Sequence, residues 1–317
     1  MAELPRLVLA REHIQQGLTP KMLAQRCASG ALVRLRQGVY VDGEAWGSLQ
    51  PWDQYRLRVQ AAAETFTAPT VFARYSAASV WGVPTVGHHH PVHALTFQND
   101  GGRSRAGVRR HYADPAGVKV FRHDGLLVTG RVRTVLDLAA FTPFAEAIVP
   151  VDHVLRPDGA RKLPPLSKEQ LLAEIEGNYA AAAAGRITVA IEFADPQSAS
   201  VGESYSRSLM HVAGFETPEL QHGIRDADGL IGYSDYYWDS ARIVGEFDGT
   251  EKYMKPEYLR GRTPSQAVVD EKYREDRIRA TGPTVVRWVW ADLTMPGRLE
   301  RKLAAAGVPR RRTRSAR

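Results

Sequence analysis

The segment ARIVGEFDG, residues 241–249, constrains the fold of this chain more than any other. Its apolar residues mark a buried strand, yet it carries two acids. Side chains alternate along a strand, so Glu246 and Asp248 project from one face and Phe247 from the other. Asp235 lies on the preceding strand-like segment, LIGYSDYYW, and the short connection from Trp238 to Arg242 brings the two strands alongside each other. Three carboxylates then converge at the end of two paired strands. Left alone they repel and raise one another's pKa, and a bound divalent cation removes that conflict. Oxygen-only ligation suits Mg²⁺ or Mn²⁺.

The neighbouring pattern supplies the rest of a domain over residues 196–308. GESYSRSLMHVAG reads as a helix with Leu209, Val212 and Ala213 inward and Glu203 in its first turn. LQHGIRD and LIGYSDYYW form two strands joined by a turn at Asp226 to Gly229. A polar helix follows from Ser265 to Thr281, then the strand TVVRWVW with Trp288 and Trp290 on one face, and a last helix from Pro296 to Ala306.

At the other end, residues 1–46 read as a small winged helix-turn-helix. Leu7, Ala10 and Ile14 have helical spacing and Gly17 ends that helix. Thr19-Pro20 is an N-cap followed by proline at the first helical position. The second helix, Lys21 to Ala28, sets Met22 and Leu23 inward and Lys21, Gln25 and Arg26 outward. In LVRLRQGVYV, Val33 and Leu35 share one face and Arg34 and Arg36 the other, with Leu32 on the arginine side; Gln37-Gly38 turns the hairpin. A helix of this size fits the major groove and a basic wing lies along the backbone, which makes Lys21, Gln25, Arg26, Arg34 and Arg36 candidate DNA contacts. The plainer reading is a helical cap with a hairpin.

Residues 47–195 read as a middle α+β region. It has a helix over Asp53–Phe66 and a short one over Ala77–Val80 that stops at Gly82. Strand-like runs follow at HALTFQ, GVRRHYA, VKVFRH and LLVTG. Helices then cover Arg131–Phe141, Phe144–Arg156 with Pro150 kinking or breaking it, Ser167–Asn178, and the alanine-rich Ala180–Ala194. His88, His89, His90 and His93 invite a metal reading. Their adjacency and the lack of acidic or cysteine partners at useful spacing favour a surface or satisfied cluster.

Composition narrows the class. The chain has 317 residues, 44% hydrophobic, enough for two or three domains with real cores. The single cysteine, Cys27, excludes an internal disulfide and fits a reducing compartment. Arg6, Arg11 and Glu12 interrupt any signal-like start, and no apolar run spans a bilayer, so the expected location is the cytoplasm. A net charge of +7 favours polyanion partners. Residues 309–317 read as a basic disordered tail.

Taken in order, GESYSR, YSDYYW, VGEFDGTEKY, DEKYREDRIRATG and TVVRWVWADL resemble the Vsr-like endonucleases, above all the bacterial group known as domain of unknown function (DUF) 559, over about Ser200 to Leu303. The N-terminal GLTPKMLAQRCASGALVRLRQGVYV and RYSAASVWGVP are similar to AbiEi antitoxins of type IV toxin–antitoxin systems. The resemblance implies an α+β multidomain chain: a winged helix-turn-helix, a middle α+β region and an αβα PD-(D/E)xK restriction-endonuclease-like domain. It makes Asp235 and Glu246 metal ligands, with Asp248 standing where the general motif has a lysine. Lys252 is then a candidate to polarise the attacking water, and Glu203 to bind metal or orient its water shell. Lys272, Arg274, Arg277 and Arg287 are candidate phosphate contacts. Glu203 could equally stabilise its helix N-terminus, and Lys272 could pair with Asp276. The implied activity is Mg²⁺-dependent hydrolysis of double-stranded DNA in repair or defence, in a protein that a double-strand cut would make a homodimer. The alternative is a repressor with a toxin partner and an inactive nuclease fold.

Overall fold

The computed structural model describes residues 4–15, 17, 19–98, 104, 107–159, 162–249 and 263–311. The protein is a mixed α+β chain with three separate sheets in two compact units. One unit comprises Met1–Thr142 and Val154–Glu192, the other Pro143–His153 and Phe193–Arg317. Residues 1–46 thus share a unit with the middle sheet, and 143–153 belong with the C-terminal segment.

The first unit opens with β1 (Val8–Leu9), α1 (Ala10–Gln15), α2 (Pro20–Ala28), β2 (Leu32–Arg36) and β3 (Val39–Asp42), the strands ordered β1-β3-β2. Thr19 caps α2 as its sequence requires, its hydroxyl accepting from the Met22 N–H at 3.3 Å. Leu23 is the buried residue of α2, whereas Met22, expected inward, is 42% exposed. A bulge between Arg34 and Arg36 breaks the expected alternation of β2. Leu32, expected on the arginine side, is buried, while Arg34 is exposed and Arg36 half-buried.

Helices α3 (Gly43–Ser48) and α4 (Pro51–Ala63) lead to a second sheet of β4 (Val71–Phe72), β5 (Val92–Thr96), β6 (Val108–Tyr112), β7 (Val120–His123) and β8 (Leu126–Thr129), ordered β6-β5-β4-β8-β7. All but β4 match the strand-like runs of the sequence; two residues are too few to show a period. α5 (Arg74–Trp81) follows β4, and α6 (Arg131–Phe141), α8 (Lys168–Ala173) and α9 (Ala181–Phe193) complete the unit. α8 is shorter than the expected Ser167–Asn178.

The histidines here divide between surface and satisfied positions: His89 is exposed, and His90 and His93 have partners within the protein. His90 lies 3.0 Å from the Val86 carbonyl and stacks on Tyr75. His93 Nδ1 lies 2.9 Å from His111 Nε2. Burial first, then neighbouring cations, holds His93 down to about 3 and His111 to about 4. Two neutral rings can share one proton at that distance; two imidazoliums could not.

The second unit contains most of α7 (Phe144–Val154), which continues through Pro150 rather than breaking there, and then α10 (Val201–Val212), β9 (Glu219–Asp226), β10 (Gly229–Trp238), β11 (Ile243–Asp248), α11 (Pro264–Ala280), β12 (Thr284–Val289), α12 (Trp290–Thr294) and α13 (Arg298–Ala305). The sheet order is β12-β11-β10-β9, with β11 parallel to β12 and the other pairs antiparallel. Met210, Tyr236, Trp238, Phe247, Trp288 and Leu303 pack together on one face of the sheet. Ile224, Val244 and Val285 meet Ile278 of α11 on the other. Trp290 starts α12 instead of extending the strand face of Trp288.

α10 packs Leu209 and Ala213 against the core as its sequence sets them, but Val212, expected inward, is 64% exposed, and the polar residues Ser204, Ser206, Arg207 and Ser208 are buried as well. Arg207 explains the buried polar side. It donates to both Asp152 oxygens at 2.9 Å and to the Phe193 carbonyl. Ser208 donates to the Ala145 carbonyl, and Trp288 Nε1 to Ser206 Oγ, each at 2.8 Å. The start of the expected tail is also ordered: the Glu216 N–H donates to the Pro309 carbonyl, and the Arg310 guanidinium lies over the Phe215 ring. Residues 312–317 lie outside the described residues. Among the described residues, no helix is long and apolar enough to cross a membrane.

Gly202 lets α10 approach β11, because a Cβ there would stand 1.9 Å from Phe247 Cε1. Gly202→Ala is expected to cost about 1–3 kcal/mol, the range for overpacking a closed core. A urea midpoint indistinguishable from the parent protein would show that α10 does not press on Phe247.

Candidate functional site

The β10–β11 ladder fixes where the acids fall. Its register pairs Tyr236 with Gly245, Tyr237 with Val244 and Trp238 with Ile243. One step further, Asp235 stands opposite Glu246, so the two share a face. The backbone pairing stops at Tyr236, and the Asp235 carboxylate takes over: its Oδ2 accepts from the Phe247 N–H at 2.8 Å. A side chain therefore closes the last rung where the strands begin to separate. Asp248 shares the face of Glu246 by alternation, as the sequence requires.

The carboxylates face a guanidinium network from α11 and β12. Glu246 Oε1 is 2.9 Å from Arg274 Nη2 and Oε2 is 2.8 Å from Arg287 Nη2. Arg287 also meets Asp248 at 3.4 Å, Glu271 and, through Nε, Glu275 at 3.0 Å. Arg274 further pairs with Glu271 and donates to the Tyr233 carbonyl at 2.7 Å. Burial alone would lower the pKa of both arginines, but Glu246 and the other carboxylates outweigh it and hold both above the ordinary arginine value. Both cations stay charged at any pH the fold survives.

Glu203 lies with the opposite face. The Tyr236 hydroxyl donates to its carbonyl at 2.7 Å, and its carboxylate accepts from the Ala199 N–H at 2.8 Å and from Gln221 Nε2 at 3.4 Å. Its position supports the helix-terminus role. Gln221 lies in β9 between the residues that pair with Ser234 and Tyr236. Burial, then the charges of Asp235 and Glu203, push the Tyr236 hydroxyl well above its ordinary pKa, and it remains a donor.

The other expected residues are dispersed. Lys252 lies outside the described residues. Arg277 makes two hydrogen bonds of 2.8 Å to Asp226, and Lys272 is exposed and forms no ion pair with Asp276. Lys21, Gln25, Arg26 and Arg34 are exposed on the first unit. Sequence reasoning missed Glu271 and Glu275. Their spacing of four places them on one helix face with Arg274, and that was the available signal.

The carboxylates are of the kind that hold a hard divalent cation, and Glu246 already has Arg274 and Arg287 as partners. Among the described residues, no three acidic, histidine or cysteine side chains are gathered as a ready metal cage. The local donors are nonetheless all oxygens, and Glu246 Oε1 is buried without an aligned hydrogen-bond donor. Five carboxylates, Asp235, Glu246, Asp248, Glu271 and Glu275, stand with three guanidiniums, those of Arg274, Arg287 and Arg279. A divalent cation would neutralise that excess.

No protein-family model matches the chain. It is 27% identical over 290 residues to the uncharacterized proteins MT2308 and Rv2248 of Mycobacterium tuberculosis strains CDC 1551 / Oshkosh and ATCC 25618 / H37Rv, covering 90% of this chain and 96% of each relative. Among solved structures, the RV2827C protein of Mycobacterium tuberculosis matches with a TM-score of 0.37 and 17% identity, over 70% of this chain and 84% of that one.

Arg287 holds together the carboxylates of two elements, β11 and α11. Arg287→Met is expected to destabilise the second unit by about 1–3 kcal/mol, between the values for exposed and buried pairs because the side chain is 20% exposed. Urea unfolding measures this, and an unchanged midpoint would mean the network contributes nothing to stability.

Proposed function

We propose that this is a cytoplasmic DNA-binding protein whose second unit is a metal-dependent endonuclease of the PD-(D/E)xK kind, acting in DNA repair or defence. One observation carries the reading: Asp235 and Glu246 face each other where β10 and β11 part, within the element order α10-β9-β10-β11-α11-β12. A helix, three strands, a crossover helix and a parallel fourth strand, in that order, support this reading. The first unit would serve as the winged helix-turn-helix, with α2 presenting exposed Lys21, Gln25 and Arg26 to the major groove.

Asp235, Glu246 and Asp248 would hold Mg²⁺ or Mn²⁺, which when bound polarises the scissile phosphate and acidifies a water. Asp235 also keeps the ends of β10 and β11 together, so its carboxylate position is fixed by the backbone it bonds. Arg274 and Arg287 limit the repulsion among the acids and lie beside the phosphate's expected seat. Lys252 remains the candidate to orient the water.

Asp235→Asn keeps an oxygen for the Phe247 N–H and removes the charge. Plasmid cleavage in Mg²⁺ or Mn²⁺ is expected to fall at least about a hundredfold in this variant, and to vanish in EDTA, with thermal stability little changed. Full activity in the variant would refute the assignment.

A second reading is favoured by Arg287, which pairs with Asp248 at the position of the usual motif lysine. In it the guanidiniums are the permanent counter-charge of a worn nuclease fold. The protein is then a repressor, antitoxin-like, with a toxin partner. It predicts a footprint on a defined operator, weakened in Lys21→Ala/Arg26→Ala, and no metal-dependent cutting. Uniform binding to any duplex with a steep salt dependence would count against it.

A further inference from the structure

A cavity of about 630 Å³ lies in the first unit, beside the β2–β3 turn. It is within the usual size of small-molecule sites. Leu35, Val108 and the Phe66 ring give it an apolar wall, and Arg11, Arg36 and Arg110 a cationic one. Glu64 is the acid on its lining and already pairs with Arg11 at 2.8 Å. Arg36 and Arg110 are half-buried, and neither side chain has a carboxylate partner among the described residues. The Arg110 guanidinium sits 5.2 Å from the Phe66 ring centroid. The bulge in β2 is what turns Arg36 toward this cavity, away from the exposed Arg34.

Half-buried cations without counter-charge are unfavourable unless an anion joins them. Burial lowers the Arg36 guanidinium below the ordinary arginine value, as expected of a cation short of negative neighbours. Two guanidiniums suit phosphate oxygens, and an aromatic face with an apolar wall suits a planar ring. We propose that this cavity binds a ring-bearing phosphate of the mononucleotide class, with its phosphate on Arg36 and Arg110 and its ring against Phe66 and the apolar wall. Since the cavity is lined by Arg36, Gln37 and Gly38 of the hairpin and by Val108 and Arg110 of the second sheet, an occupant ties the two together. The ligand would then bear on how the hairpin is presented to DNA.

The test is isothermal titration of the full chain with the four ribonucleoside 5′-monophosphates, adenosine and inorganic phosphate. At least one monophosphate is expected to bind, and to do so about tenfold or more tightly than adenosine or phosphate alone. Arg36→Gln/Arg110→Gln is expected to lose that binding by at least about tenfold, and Arg122→Gln, on β7, to leave it unchanged. No binding by any monophosphate at millimolar concentration, or binding unaltered in the double variant, overturns the proposal. If the monophosphates fail to bind and the double variant instead loses affinity for duplex DNA, the two arginines are backbone contacts and the cavity is not a ligand site.

Discussion

The buried ion pair between Arg207, whose Nη2 reaches both carboxylate oxygens, and Asp152 is the contact on which the second unit depends. Removing a charge from water is costly, and the cost is recovered only where its partners are complete. Here Arg207 meets both Asp152 oxygens, the Phe193 carbonyl and the Ser198 hydroxyl, while the Asp195 N–H donates to Asp152. That set allows α10 to turn a row of serines and an arginine inward. With α10 seated, Gly202 lies against Phe247, and the side chains on either side of Phe247 are Glu246 and Asp248. The placement of the acids thus follows from a polar helix surface as well as from the apolar contacts of Leu209, Met210 and Ala213.

This explains which parts of the fold were legible. The strand-like runs LQHGIRD, LIGYSDYYW and ARIVGEFDG fall in β9, β10 and β11 close to where the sequence set them, and Asp235 and Glu246 fall opposite each other by the β10–β11 register. α6 matches its expected bounds because its apolar period runs uninterrupted from Arg131 to Phe141. α10 misled because burial of Arg207 requires a partner 55 residues away, which no local window contains. The bulge in β2 was hidden for a related reason: one extra residue shifts every later side chain, and only pairing with β3 reveals it.

The candidate site was legible in its acids and illegible in its cations. Asp235, Glu246 and Asp248 could be brought together from strand alternation and a short connection. That Arg287 lies on Glu246 follows from the parallel register of β11 and β12, a crossover pairing that sequence does not specify. Arg274 and Glu271 join from α11 for the same reason. The basic residues that composition marks as candidates for a polyanion are, in this unit, largely engaged with the protein's own acids.

Gly245 sits between two tryptophans. A Cβ there would stand 2.8 Å from the Trp288 ring and 2.9 Å from that of Trp238, both of which are 1% exposed. The residue immediately after Gly245 is Glu246. The chain has therefore set a pair of indole chromophores, one on β10 and one on β12, against Gly245 of the strand that carries Glu246 and Asp248, buried from solvent and tightly wedged. Their emission would be blue-shifted, and a rearrangement of β11 on the order of an ångström would alter the field around both rings. The acid-bearing strand is thus flanked on both sides by an optical label of the protein's own.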